Sequence, residues 1–228
     1  MKTIIVTGAS KGIGLEVCRS LAKQGHIVYA LARSTEQLVE LSKEYPNHII
    51  SYSCDLTESA QIELFIESLG DTSIDALINN AGGLVNKPFL DLEISDWEHM
   101  LEINLLAVVR MVKALHPFML PDSHIVNIGS MGGFQGSSKF PGLSAYSAAK
   151  GSLTILSECL ATEFSDQRIS VNCLCLGAVQ TQMLEEAFPG YQAPLQADEM
   201  GGFISDFTLN GHRFFNGKSL PVALHNPG

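Results

Sequence analysis

Basic residues are scarce in this chain: 14 Lys and Arg stand against 24 Asp and Glu, a formal charge of −10 at pH 7. That balance excludes a surface built to hold nucleic acid or an anionic membrane, both of which need a positive field. Long hydrophobic runs are missing as well. No stretch approaches the ~20 residues of a membrane span, and the apolar run after Lys2 is too short for a secretory leader. The expectation is a cytoplasmic protein with neither nucleic acid nor membrane among its partners. None of the seven histidines stands at metal-ligand spacing from another, so no metal site is expected. The five cysteines (Cys18, Cys54, Cys159, Cys173 and Cys175) fall inside apolar helix or strand patterns, which reads as buried free thiols in a reducing compartment. Cys173 and Cys175, two apart on a strand, share a face. Repeats, low-complexity tracts and linkers are also absent. A chain of 228 residues then makes a single domain with a substantial core.

What is present is a steady alternation. Strand-like runs at 3–7, 27–32, 49–54, 75–80, 123–129, 169–175 and 219–223 alternate with helical patterns near 12–24, 35–45, 58–69, 95–118, 143–165 and 197–208. Such βαβ repetition predicts an α/β fold, a doubly wound parallel sheet of about seven strands flanked by helices. Between the first strand and first helix lies Thr7-Gly8-Ala9-Ser10-Lys11-Gly12-Ile13-Gly14. A strand, a glycine-rich turn and a helix in that order can cradle a dinucleotide pyrophosphate: small residues admit the phosphates, and the helix start offers unpaired N–H groups. The spacing is G-x-x-x-G-x-G, and it is not a P-loop, because no Gly-Lys-Ser/Thr follows. An NAD site would carry an acid about 20 residues beyond this turn, for the ribose 2′-hydroxyl. None appears before Glu36. Arg33 stands there instead, and Lys11 can converge with it on a 2′-phosphate, which favours NADP.

The third strand ends at Cys54-Asp55-Leu56, with Thr57 read as a helix N-cap. The fourth runs into Asn79-Asn80-Ala81-Gly82, where two amides and a glycine can hold backbone groups while leaving room for a ribose. Ser95-x-x-Glu98 reads as a capping box opening a long helix. Leu101, Ile103, Leu105, Leu106, Val108, Val109, Met111 and Val112 make that helix apolar on too many sides for one buried stripe. The favoured reading puts its outer face against a second subunit, and the alternative buries it within the domain. Asn104 is the lone amide in the run.

Ser130 arrives at a strand's C-terminal end, the functional edge of such a sheet. Tyr146 and Lys150 follow at helical i, i+4 spacing, on one face. A phenol of pKa about 10 is too weak an acid–base at neutral pH. Lowering it by ~3 units needs about 4 kcal/mol, which one ammonium ~4 Å away supplies at an effective dielectric near 20. The two residues together can form a general acid/base couple where neither could alone.

Taken in order, Thr7 to Gly14, Asn79 to Gly82, Asn104, Ser130, Tyr146 and Lys150 resemble the short-chain dehydrogenase/reductase family, in its single-domain branch, over essentially the whole chain. The resemblance implies a Rossmann-like domain spanning 1–228 and an NADP-dependent oxidoreductase that interconverts a ketone or aldehyde and an alcohol. Tyr146 would protonate the carbonyl oxygen and Ser130 would hydrogen-bond it. Lys150 would lower the tyrosine pKa and bind the nicotinamide ribose, and Asn104 would hold a water of the proton relay. The cofactor would lie on Gly8, Ser10, Lys11, Gly12, Ile13, Gly14 and Arg33, with Asp55 and Leu56 against the adenine. Asn80, Ala81, Gly82 and Val179 would flank it, and Thr181 would hold the carboxamide. The excess apolar face of the helix at 95–118 leads, on its own, to the expectation of a homodimer or homotetramer built on the helices at 95–118 and 143–165.

Three departures from the family pattern stand out. Leu176 precedes Gly177 where proline is usual, the segment from Ser130 to Tyr146 is a few residues longer than common, and the last strand ends Val222-Ala223-Leu224-His225 without Asp-Gly-Gly. A short lid at 183–195, lined by Met183, Leu184, Phe188, Tyr191 and Leu195 with Glu185 and Glu186 outward, points to a neutral carbonyl substrate. Two other readings compete. One is a cofactor-binding regulatory protein with a vestigial site, which the intact Asn/Ser/Tyr/Lys set disfavours. The other is a sugar-nucleotide epimerase or dehydratase, which would need a different glycine spacing and a larger C-terminal domain.

Overall fold

The computed structural model describes residues 1–224. Seven strands form one parallel sheet: β1 (Thr3–Thr7), β2 (Ile27–Ala32), β3 (Ile49–Ser53), β4 (Ile74–Asn79), β5 (Met119–Ser130), β6 (Ser170–Leu176) and, at the far edge, the last strand Ser219–Val222. Their order, β3-β2-β1-β4-β5-β6 and then the last strand, reverses direction between β1 and β4. At that switch the connections diverge to opposite faces and open a crevice at the strands' C-terminal ends. The principal helices are α1 (Gly12–Lys23), α2 (Glu36–Glu44), α3 (Ser59–Leu69), α4 (Ile94–Leu101), α5 (Ala107–Leu115) and α6 (Ser144–Glu163). A two-residue pairing of β7 (Val179–Gln180) with β8 (Leu195–Gln196) closes the base of a loop that carries α7 (Gln182–Ala187); α8 (Ala197–Asn210) and the last strand, β9, follow.

The period-two pattern of β1 shows how the layers arise. Ile4 and Val6 face a core shared with Val17 and Leu21 of α1 and Met200 and Ile204 of α8. Ile5 faces the opposite core, with Phe65 of α3, Met111 of α5 and Leu153 of α6. Both faces are covered, which is why the central strands read as unbroken apolar runs rather than alternating ones.

Several expectations need correction. The capping box of α4 is formed by Glu93 and Asp96, not by Ser95 and Glu98; Asp96 accepts from the Glu93 N–H at 2.9 Å and is held by the Lys87 ammonium at 3.0 Å. The N-cap of α3 is Glu58, one residue after Thr57, whose hydroxyl donates to Asp55 Oδ1 at 2.8 Å. The long helix of 95–118 is broken by a π-helical turn over Glu102–Leu106. Much of its apolar excess is internal. Val108, Met111, Val112 and Leu115 are buried, Ile103, Leu105 and Val109 are half-buried, and Leu106 is exposed. Four cysteines are buried as expected, whereas Cys159 is exposed on α6. The final strand stops at Val222, and His225 lies outside the described residues.

Candidate active site

The glycine turn is built from backbone conformations and close approaches that side chains would prevent. Gly8 and Gly12 have φ of +64° and +55°, where L-residues are strained. A Cβ on Gly14 would lie 2.3 Å from the Gly8 carbonyl oxygen. The turn is fastened to the end of β4: Asn80 Nδ2 donates to the carbonyls of Thr7 and Gly8, both at 3.0 Å. Thr7 Oγ1 in turn accepts from the N–H groups of Asn80 and Ala81, both at 3.1 Å. The end of β1, the glycine turn and the end of β4 therefore form one rigid rim at the switch point. Helix α1 starts without a side-chain cap and without an acid in its first turn, so its first N–H groups face the crevice as donors for an anion. These features fit a dinucleotide pyrophosphate.

The remaining cofactor candidates distribute around this turn. Ser10 is half-buried beside it, and Ile13 packs on the core. Arg33 is exposed at the end of β2, and Lys11, also exposed, donates to Gln182 Oε1 at 3.2 Å. Hydrogen bonds from Thr57, chiefly its backbone N–H, hold the Asp55 carboxyl below the usual carboxylate range, and the Arg33 charge adds to this. Leu56 and Val179 are buried. Thr181 Oγ1 accepts from the Leu184 N–H at 3.3 Å and so caps α7, while its methyl group would touch a Cβ on Gly12 at 3.3 Å.

The chemical groups meet one step along the same edge. Ser130, the last residue of β5, accepts from the Gly132 N–H at 3.1 Å, and its hydroxyl lies beside the Tyr146 phenol. Burial pushes that phenol above its ordinary pKa, and the neighbouring Ser130 hydroxyl opposes the rise. The Lys150 ammonium donates to the Ile128 carbonyl at 2.8 Å, and burial pulls its pKa down to about 8. In this arrangement the lysine is docked on the strand, and its charge is not what sets the tyrosine. Asn104 is fully buried in the π-turn. Its Nδ2 donates to the Met100 carbonyl at 3.0 Å, standing in for a backbone bond that the wide turn gives up, and Oδ1 accepts from the Gly83 N–H at 3.3 Å. Gly82 forms the floor between them: a Cβ there would meet Asn104 Oδ1 at 2.7 Å and Lys150 Nζ at 3.4 Å. The structure thus brings Asn104, Ser130, Tyr146, Lys150 and the Asn80–Gly82 turn together.

Sequence reasoning missed a buried polar row beneath the site. Asn79 Nδ2 donates to Asn127 Oδ1 at 2.8 Å, and Asn127 Nδ2 donates to Ser157 Oγ at 2.9 Å. The signal was an asparagine inside the apolar strand His124-Ile125-Val126-Asn127-Ile128, since a buried amide must find partners. Asn86 was missed too. Its Nδ2 donates to the Ala187 carbonyl at 2.8 Å, tying the loop after β4 to α7.

A parallel sheet with a glycine turn at its switch point and a Tyr/Lys pair beside a strand-end serine defines a single-domain dinucleotide-dependent oxidoreductase. Comparison with known proteins is specific on the family. The model of the short chain dehydrogenase family matches residues 2–192. The chain is 32% identical over 195 residues to dehydrogenase/reductase SDR family member 11 of Gallus gallus, covering 79% of this chain and 75% of that one. It is 33% identical over 190 residues to nodulation protein G of Rhizobium sp. (strain N33), covering 80% and 75%. Among solved structures, the closed form of serine dehydrogenase complexed with NADP+ superposes with a TM-score of 0.85 at 27% identity, over 96% of this chain and 94% of that one. The chain belongs to the short-chain dehydrogenase family, oxidoreductases that use a nicotinamide cofactor.

Proposed function

We propose that this protein is an NADP-dependent reductase of a neutral ketone or aldehyde, or the dehydrogenase of the corresponding alcohol. The observation that carries this reading is the convergence of Ser130, Tyr146, Lys150 and Asn104 around the floor left open by Gly82. The cofactor, when bound, supplies or accepts the hydride. The chain's own residues do the rest. The Tyr146 hydroxyl gives a proton to the carbonyl oxygen, and Ser130 holds that oxygen as negative charge develops on it. Lys150 binds the nicotinamide ribose and lowers the tyrosine pKa once its ammonium turns from the strand toward the site. Asn104 keeps the π-turn open beside Gly82 and positions the water that returns the proton. The test is a panel of ketones and aldehydes followed by loss of reduced-cofactor absorbance, with each cofactor in turn.

The choice of NADP rests on Arg33 and Lys11 at the rim, with the first acid beyond β2 delayed to Glu36. The single exposed contact of Lys11 to Gln182 is weak enough to exchange for a phosphate. A relative of the same fold, serine dehydrogenase, is described with NADP+. Each charge-assisted hydrogen bond to the 2′-phosphate contributes about 1.5–3 kcal/mol, roughly 10- to 100-fold in affinity. Arg33→Asp is therefore expected to weaken NADPH binding by at least that lower factor and NADH binding less, measured by fluorescence titration. Equal affinity of the unaltered protein for both cofactors would sink the assignment.

The lid supports an apolar substrate. Leu184, Phe188 and Leu195 are half-buried, Met183 and Tyr191 are more open, and Glu185 and Glu186 are exposed. The low cation count and the lack of any described helix long and apolar enough to cross a membrane favour a cytoplasmic setting. A homodimer or homotetramer would join along α4, α5 and α6, where Leu106 and Ile155 are exposed at 43% and 59%. Light scattering at micromolar concentration is expected to give two or four times the mass of one chain; the mass of a single chain would rule the oligomer out.

A further inference from the structure

Helix α7 is a strap held at both ends. Its start is fastened to the glycine turn: Lys11 Nζ donates to Gln182 Oε1 at 3.2 Å, and the Thr181 methyl lies where a Cβ on Gly12 would meet it at 3.3 Å. Its last residue is fastened to the loop after β4 by one bond, from Asn86 Nδ2 to the Ala187 carbonyl at 2.8 Å. Gly82 and Gly83, the floor beside Asn104, stand at the beginning of that loop. Six helical residues span about 9 Å. The strap thus bridges the cofactor turn and the loop that leads away from the catalytic floor.

Asn86 touches a third wall as well. Its Oδ1 lies against Gly142, in the lengthened segment between Ser130 and Tyr146: a Cβ on Gly142 would fall 2.0 Å from that oxygen. The Lys87 N–H donates to the Gly142 carbonyl at 2.9 Å, and the Lys87 ammonium is pinned to Asp96 of α4 at 3.0 Å. The backbone at 86–87 is therefore a fixed post, and three walls of the site meet at one side chain. The two ends of the strap differ in strength. At its start β7 pairs with β8, Gln180 Oε1 accepts from the Ala193 N–H at 2.8 Å, and Thr181 caps the helix. At its end there is a single neutral bond, exposed to water that can replace it. The start is the hinge and the end is the latch.

We propose that Asn86 is a positioning residue for the lid: its amide latches α7 against the other two walls and so sets the width of substrate that the closed site takes. Compact carbonyl compounds fit beneath the latched strap, and bulkier ones require the amide to let go of Ala187. Gly142 is a glycine because its φ of +85° and the Asn86 oxygen both exclude a side chain there. The role in substrate choice rests on the proposed function; the latch itself does not.

Hydrogen–deuterium exchange of the full chain without cofactor, read by mass spectrometry over 182–190, tests the latch apart from turnover. The Glu185 and Phe188 amides, bonded to the Thr181 and Leu184 carbonyls, report on α7. Asn86→Asp keeps the shape beside Gly142 but puts an acceptor where the donor stood, and an acceptor cannot bond a carbonyl. It is expected to speed exchange over 182–190 about two- to tenfold, the worth of one neutral hydrogen bond. Asn86→Ala should do the same, and α6 should be unaffected in both. A side chain that only filled space would instead leave Asn86→Asp like the parent. Thermal melting checks that each variant folds. In turnover, both variants are expected to raise kcat/KM for 2-naphthaldehyde relative to benzaldehyde, chiefly through KM. Unchanged exchange in folded Asn86→Asp would overturn the latch, whatever the activity proves to be. Faster exchange with an unchanged ratio of the two aldehydes would overturn its control of substrate width. Faster exchange in a protein that reduces no carbonyl of the panel would uphold the latch and remove the proposed function.

Discussion

Replacing Tyr146 with Phe is expected to cut turnover by about 10²–10⁴-fold, the usual worth of a positioned general acid, without loosening the fold. The ring packs with Met100, Ala145 and Ala149 in a small cluster behind the site, and Phe fills the same volume. Only the hydroxyl is lost, and the Ser130 oxygen keeps the Gly132 N–H at 3.1 Å. Melting temperature and cofactor affinity should therefore stay close to those of the parent. Lys150→Ala is expected to lower both turnover and cofactor affinity, because the ammonium has two roles. Ser130→Ala should act mainly on turnover. Steady-state kinetics on any carbonyl the parent reduces, with a cofactor titration and a melt alongside, separates these outcomes. Near-normal turnover in Tyr146→Phe would mean that another group is the acid and would overturn the proposed function.

The sheet was legible because each central strand is buried on both faces and therefore reads as an apolar run. Every expected strand start except that of β5 falls within one residue of the start observed. β1 begins and ends where Lys2-Thr3-Ile4-Ile5-Val6-Thr7 suggests, and the Tyr146/Lys150 spacing placed both residues on one face of α6. What sequence periodicity missed was decided by tertiary contacts. The π-turn at Glu102–Leu106 shows no local signal beyond Asn104, because it exists through bonds from that side chain to Met100 and to Gly83, 21 residues away. The start of α4 shifted to Glu93 because Lys87, from the preceding loop, fixes Asp96. The elements β7, α7 and β8 are too short to show a period at all. They are held by Asn86 and by the Gln180 side chain, which accepts from the Ala193 N–H at 2.8 Å. Cys159 sits in an apolar stretch of α6, but on its outer side with Ile155.

At the opposite end of the sheet from the site, acid is expected to destabilise the protein through one histidine. His124 is buried on β5 between two fixed partners. Its Nδ1 lies 3.0 Å from the Thr208 carbonyl and its Nε2 lies 3.0 Å from Asn172 Nδ2. The amide cannot be turned around cheaply, because Asn172 Nδ2 also donates to the Phe215 carbonyl and Oδ1 accepts from the Lys218 N–H. Asn172 therefore donates to Nε2, and the ring must be the neutral Nδ1–H form. A second proton would set two donors against each other. Burial, foremost, pulls the His124 pKa from 6.5 to about 4. The unfolded chain takes up its proton near the ordinary value and the folded one only near pH 4. Stability is thus full above pH 6.5 and falls as pH drops from there to about 4. A shift of that size is worth roughly 3 kcal/mol at ~1.4 kcal/mol per unit. His26 and His212 are also shifted downward and add to the same slope, so the variant isolates the share of His124. In denaturant titrations at a series of pH values, His124→Gln should be less stable near neutrality and show a shallower acid slope than the parent. Parallel pH curves for the two proteins would mean that His124 accepts its second proton in the folded state as readily as in the unfolded one.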